Sequence, residues 1–235
     1  MNPNEKNSLI PIVTIDGPAG SGKGTIAQAV AQQLGWKILD SGALYRLVAL
    51  AAERKGIKFD DEMPLSKIAQ TLDVVFSPCD DGGIEILLEG DTVTQAIRTE
   101  ECGCMASQVA AQKQVRSALL ERQRNFQEAP GLVADGRDMG TVVFPNAKVK
   151  VFLTASAEIR AKRRQNQLKE NGIDANLAGL VRDIEERDER DMQRKDAPLI
   201  PADDATIIDT GELRIDEVVA KVMVIVKKVY DQDLT

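Results

Sequence analysis

The chain has 235 residues and a mass of 25.6 kDa, with 43% apolar residues and only 3% aromatic ones. Such a length suits one large domain or a core with insertions, and the apolar share excludes wholesale disorder while leaving Leu, Ile, Val and Ala to fill the interior. A balance of 30 basic against 37 acidic groups argues against general nucleic-acid binding, and the absence of histidine excludes Ser-His-Asp and Cys-His chemistry, a His-ligated zinc and a histidine pH switch.

The opening MNPNEKNSLI has no apolar segment behind a basic stretch, so no leader peptide is expected. No apolar run approaches the ~20 residues of a membrane span. A soluble, cytoplasmic monomer without membrane or nucleic-acid partners is expected. Residues 9–16, LIPIVTID, read as a short buried strand, followed by the glycine-rich turn GPAGSGKGT at 17–25. TIAQAVAQQL then carries apolar residues at helical spacing, and the spacing predicts a helix ending near Gly35. Leu44, Leu47, Val48 and Ala51 predict a further helix after SGALYR. Strand, loop and helix in this order open a layered α/β domain.

The texture changes near residue 72. LDVVFSP, GIEILLEG and DTVTQAI are rich in β-formers and separated by DDGG and EGD. They predict a small antiparallel sheet over 72–98, inserted into the α/β core. Helical patterns resume over about 100–127. LVAD at 132–135, VKVFLT at 149–154 and ATIIDT at 205–210 read as central parallel strands. Residues 157–195 hold ten basic and nine acidic groups, with two charged helices flanking ENGIDAN at 170–176. A solvated hairpin and a mobile, arginine-bearing lid both fit that pattern. The last segment places Ile215, Val218, Val219, Val222, Ile225, Val226 and Val229 on one helical face. Cys79, Cys102 and Cys104 are odd in number, and a Cys-x-Cys pair is too sparse for a four-ligand zinc site, so they read as buried or incidental reduced thiols.

Chemistry concentrates at Gly17, Pro18, Ala19, Gly20, Ser21, Gly22, Lys23, Gly24 and Thr25. Glycines let backbone N–H groups approach phosphate oxygens, the following helix aims its positive end at the same anion, and Lys23 can reach the β and γ phosphates. The glycine spacing does not fit a dinucleotide fingerprint. Gly24 stands where the usual pattern has Ser or Thr, and Thr25 comes next, so direct or water-mediated Mg²⁺ binding by the loop hydroxyl both stay open. No Asn-Lys-x-Asp motif is present, which disfavours a switch GTPase. Two further segments, DSGALYR at 40–46 and DGRDMGT at 135–141, end at the same edge of an open α/β sheet and are expected to flank one cleft. Arg46 and Arg137 suit a phosphate fork, with surface salt bridging as the plainer alternative. Asp138 can accept from an amino group on a base. Ser107 reads equally well as a simple helix residue.

ITIDGP with GSGKGT, LDSGALYR, EGDTVTQAIRT, ASQVAAQKQVR, LVADGRDMGTVVFP and ERDERD together resemble the bacterial cytidylate (CMP) kinase family, over nearly the whole chain. The resemblance implies a P-loop kinase core with a parallel sheet flanked by helices. It also implies an inserted NMP-binding subdomain over about 64–127, whose β insert covers about 72–98, and a helical lid over about 157–195, all in one domain spanning 1–235. The implied activity is transfer of the γ-phosphoryl group of ATP to CMP or dCMP, with Mg²⁺. Carried over by position, Ser107, Arg116 and Asp138 contact the cytosine, Arg46 and Arg137 hold the CMP phosphate with Ser41 nearby, and Arg187 and Asp191 lie near the ribose, with Arg194 in the same region. Arg160, Arg163, Arg164 and Arg190 serve the lid and ATP side, Lys23, Arg137, Arg187 and Arg190 forming the catalytic set. Asp135 resembles a magnesium-coordinating carboxylate beside Thr25, with helix capping or salt bridging as its alternative. The competing readings are a shikimate- or gluconate-like kinase on the same fold and an ATP-binding regulatory module without transfer.

Overall fold

The computed structural model describes residues 10–78, 84–170 and 172–230. The DDGG turn, Cys79 and Asn171 lie outside the described residues. In chain order the elements are β1 (Ile12–Asp16), α1 (Lys23–Leu34), β2 (Lys37–Asp40), α2 (Ser41–Arg54), α3 (Glu62–Gln70), β3 (Val74–Pro78), β4 (Ile84–Leu88) and β5 (Asp91–Thr92). A 3₁₀ turn (Ala96–Arg98), α4 (Glu100–Val109), α5 (Lys113–Arg124), β6 (Leu132–Gly136), a single π-helical turn (Met139–Val143), β7 (Val149–Thr154), α6 (Ala157–Glu170), α7 (Leu177–Met192), β8 (Thr206–Asp209) and α8 (Ile215–Tyr230) follow. The chain divides into two compact units, Met1–Asp40 with Arg124–Thr235, and Ser41–Gln123.

In the first unit five strands form a sheet in the order β2-β6-β1-β7-β8, every neighbouring pair parallel. The three inner strands are apolar runs, as a sheet covered on both faces requires. Val13, Ile15, Val133, Val149, Val151 and Leu153 pack on Ile26, Ala27 and Val30 of α1 and on Val218, Val219, Val222 and Val226 of α8. Ile215 of the expected α8 face is 53% exposed, because it sits in the first turn, ahead of the buried stripe. The helix of the phosphate-loop segment ends as expected, with Gly35 in the left-handed region. No helix among the described residues is long and apolar enough to cross a membrane.

In the second unit β3, β4 and β5 form the antiparallel sheet. Its third segment departs from expectation: DTVTQAI gives only a two-residue strand and then the 3₁₀ turn. The Val93 N–H still donates to the Ile86 carbonyl oxygen of β4 at 2.8 Å, and the chain then turns with Val93 and Ile97 both buried. A second departure is the start of α2, which begins at Ser41 rather than after SGALYR. Nearly every side chain from Ala43 to Ala52 is buried, so the helix is fixed by packing and takes the polar SGALYR segment into its first turns.

Candidate active site

β1 and β6 lie side by side with Asp16 opposite Gly136, and β2 pairs Asp40 with Asp135. Parallel strands in register end at one edge, so the turn 17–22 and the segment 137–141 leave the sheet as neighbours. Gly17, at φ +153°, lies so close to β7 that a Cβ would fall 2.2 Å from the Leu153 carbonyl oxygen; only glycine fits there. Gly22 caps α1 in the left-handed conformation, and Lys23 opens the helix with its Nζ 3.2 Å from the Pro18 carbonyl oxygen.

The departure at Gly24 has a structural reason. A Cβ on Gly24 would lie 3.2 Å from Asp135 Oδ2, so the carboxylate at the end of β6 fills the space a larger residue would need. Asp135 is buried, and its Oδ1 has no hydrogen-bond partner among the described residues; the buried Ser21 Oγ is in the same condition. Burial pushes the Asp135 carboxyl up to about 7 against the opposing pull of Lys23. Burial, followed by the Arg137 guanidinium, pushes the Lys23 ammonium down to about 7. Arg137, Arg187 and Asp40 are thus close enough to act on the charge of Lys23, and Arg137 and Asp40 on that of Asp135.

Arg137 donates from Nε to Asp191 Oδ2 at 3.2 Å and from Nη1 to the Gly136 carbonyl oxygen at 3.3 Å. Asp191 is 1% exposed and its other oxygen accepts from Arg194. The structure therefore brings Arg137, Asp191 and Arg194 together, Asp191 from the last turn of α7 and Arg194 from just beyond it. Arg187 is one helical turn before Asp191 on the same helix face. Arg190 carries a buried Nη1 without a hydrogen-bond partner among the described residues. Asp138 is buried at 2% exposure where β6 gives way to the π turn, a feature common at functional sites.

The expected lid and ATP-side arginines differ among themselves. Arg160 is 4% exposed and faces Asp188 of α7, Nη2 to Oδ2 at 2.5 Å and Nη1 to Oδ1 at 3.1 Å. Arg163 donates to Thr210 Oγ1 at 3.1 Å and to the Thr210 carbonyl oxygen. Arg164 donates to Gln167 Oε1 at 3.3 Å within α6. The charged hairpin is therefore not simply solvated: a buried ion pair joins its two helices.

In the Ser41–Gln123 unit, Arg46 Nη1 donates to the carbonyl oxygens of Ile97 at 2.6 Å and Thr99 at 2.8 Å. Ser41 Oγ donates to Gln123 Oε1 at 2.7 Å, and Gln123 is held in turn by its Nε2 on the Leu119 carbonyl oxygen at 3.3 Å. The Arg116 guanidinium lies 5.6 Å from the Tyr45 ring centroid, a cation–π contact, and its Nη1 reaches the Ala110 carbonyl oxygen at 3.3 Å. Ser107 is buried on α4. The two described thiols are free, Cys102 buried and Cys104 exposed.

Sequence reasoning missed Asp16, Gln123, Asp188 and Thr210. Asp16 precedes the phosphate loop and accepts the backbone N–H groups of Met139 and Gly140, each at 2.8 Å. One carboxylate thereby ties the start of the loop to the segment carrying Arg137 and Asp138. Its only sequence signal was a charged residue ending an otherwise apolar strand. Burial pushes the Asp16 carboxyl from 3.8 up to about 7, with Asp138 and Asp135 adding to the rise and the two N–H groups opposing it. The folded protein then binds a proton that the unfolded chain gives up. Asp16 contributes most below about pH 4, and the contribution is lost as pH rises through about 7. Relative to the parent chain, Asp16→Asn is expected to gain about 1–4 kcal/mol of unfolding free energy between pH 5 and pH 8. Urea unfolding at both values checks it; a difference between the two chains that ignores pH contradicts it.

The chain matches the family described as Cytidylate kinase over residues 13–228. It is 59% identical to the cytidylate kinase of Colwellia psychrerythraea over 213 residues, covering 91% of this chain and 94% of that one. It is 58% identical to that of Stutzerimonas stutzeri over 226 residues, covering 96% and 97%. A solved gluconokinase from Sinorhizobium meliloti 1021 overlays at a TM-score of 0.46 and 15% identity, over 96% of each chain. A phosphate loop on a parallel five-stranded sheet, an inserted antiparallel sheet and a family match across both lead to one conclusion: the chain belongs to the cytidylate kinase family.

Proposed function

We propose that this protein transfers the γ-phosphoryl group of ATP to CMP, and to dCMP, giving CDP or dCDP and ADP, as part of pyrimidine nucleotide metabolism in the cytoplasm. The observation that carries the reading is the group of cations beside the glycine turn, with Arg137 and Arg187 both within electrostatic reach of Lys23. The nucleophile is an oxygen of the CMP phosphate, whose second pKa of about 6 leaves it mostly dianionic at neutral pH. No general base is needed, in keeping with a chain without histidine. What opposes the reaction is repulsion between two phosphate groups, and fixed positive charge offsets it.

The loop 17–25 holds the ATP phosphates. Arg137 and Arg46 hold the phosphate of CMP, Ser107, Arg116 and Asp138 its base, and Arg187 and Asp191 its ribose. Arg46 is braced for this by its Nη1 on the carbonyl oxygens of Ile97 and Thr99. The 157–195 hairpin serves as the lid that keeps water from the γ-phosphate. Magnesium fits the donors present: Asp135 has a buried oxygen without a hydrogen-bond partner among the described residues, and Thr25 supplies a hard hydroxyl at the helix start. Those two would hold the ion, in part through water, and it would supply charge neutralisation on the phosphates.

The test is ADP release from ATP with CMP, dCMP, UMP, AMP or no acceptor. Rapid release with CMP and dCMP is expected, with little for UMP and AMP. ADP release that ignores the acceptor would return the protein to the class of ATP-binding modules.

A further inference from the structure

The phosphate loop has a back as well as a front, and the back is built from named side chains. The Ala19 carbonyl oxygen accepts from Arg160 Nη1 at 3.0 Å. Two residues on, the Ser21 carbonyl oxygen accepts from Thr210 Oγ1 at 3.2 Å. Both donors are buried, Arg160 at 4% and Thr210 at 2% exposure. Each is itself braced. Arg160 Nε donates to the carbonyl oxygens of Ala155 at 2.9 Å and Ser156 at 3.3 Å, and its two Nη groups engage Asp188. Thr210 Oγ1 accepts from Arg163 Nη1 at 3.1 Å. The hydroxyl also lies 3.1 Å from the Thr154 carbonyl oxygen, but that oxygen already takes the Thr210 N–H at 2.8 Å. Thr154 thus has a donor of its own, which leaves the hydroxyl proton available to Ser21.

In a planar trans peptide the C=O and the following N–H point in opposite directions. Holding the Ala19 and Ser21 carbonyls outward turns the N–H groups of Gly20 and Gly22 toward the hollow of the loop. We infer that Arg160 and Thr210 are positioning residues for ATP: through the Ala19 and Ser21 carbonyls they fix the peptide planes whose Gly20 and Gly22 N–H groups bind the triphosphate. The inference rests on the reading that this loop binds ATP. It gives Arg160 an indirect task, since its donors are engaged with protein oxygens. It also gives Asp188 a reason to be buried beside Arg187. The Arg160–Asp188 pair joins the loop to α7, the helix that carries Arg187, Arg190 and Asp191, so the orientation of the loop and the placement of those side chains share one support.

Thr210→Val keeps the shape and removes the hydroxyl; Thr210→Ser keeps the hydroxyl. Arg160→Lys keeps a charge for Asp188 but loses the fork needed to reach Ala19 as well. Calorimetric titration of each variant with MgATP and, separately, with CMP reads the effect without requiring transfer. Thr210→Val and Arg160→Lys are expected to weaken ATP about five- to tenfold, with CMP affinity unchanged within about twofold and Thr210→Ser close to the parent. A purely structural role would weaken both nucleotides together, with melting temperature falling in step. The inference is overturned if ATP affinity is unchanged in both variants, or if ATP and CMP weaken in proportion. Failure of the kinase reading would look different: the parent chain itself would release no ADP in response to CMP.

Discussion

Lys23→Ala is expected to lower kcat about 10³-fold, a loss of about 4 kcal/mol in the transition state, with the fold retained. Lys23 stands where the glycine turn becomes a helix, and its ammonium is the cation nearest the loop carbonyl of Pro18. Among the strand ends its proton is loosely held, because burial and Arg137 push its pKa down to about 7. A triphosphate laid in the loop reverses that balance and keeps the ammonium charged. Negative charge that shifts between the β and γ phosphates during transfer is then met by a cation needing no rearrangement. Alanine removes this charge while leaving the apolar seam of α1, built from Ile26, Ala27 and Val30, untouched. Asp135 tolerates the loss, since burial already drives its carboxyl toward the neutral form. Steady-state kinetics beside circular dichroism checks the prediction; near-normal turnover would take the lysine out of the mechanism.

Asp138→Ala is expected to narrow the CMP/UMP ratio of kcat/KM by about 10- to 100-fold, mostly through loss of CMP use. Cytosine presents an exocyclic amino donor where uracil presents a carbonyl acceptor. A carboxylate accepts from the first and repels the second. Asp138 is 2% exposed, so water cannot relieve a mismatch at its oxygens. The Asp16 hydrogen bonds to Met139 and Gly140 set the chain direction just after Asp138 and remain in the variant. A ratio equal to that of the parent would refute base reading by Asp138.

The parallel strands were legible because β1, β6 and β7 are continuous apolar runs, and the phosphate loop because its glycines and lysine stand at fixed offsets. The short edge strand β2 was not. KILD is four residues long with one buried side chain, below the length at which a pattern separates from chance. α3 was missed because EMPLSKIAQ carries a proline, although a first-turn proline costs a helix little. The third β segment was read too long because Val93 and Ile97 look like strand residues when their burial in a turn is invisible. In the site, residue types announced what faces the phosphates but not what stands behind them. Arg160 reads as one more charge in a basic helix until its partner Asp188, 28 positions away, closes on it. Gln123 and Thr210 carry no motif; their roles come from a donor 82 positions away and an acceptor 189 positions away.

Following the γ-phosphate itself tests the central claim most directly. With ATP labelled at that position and CMP in excess, the label is expected to appear in the β-phosphate of CDP, one for each ADP formed. Label recovered as inorganic phosphate, with CMP unchanged, would contradict direct transfer between the two nucleotides.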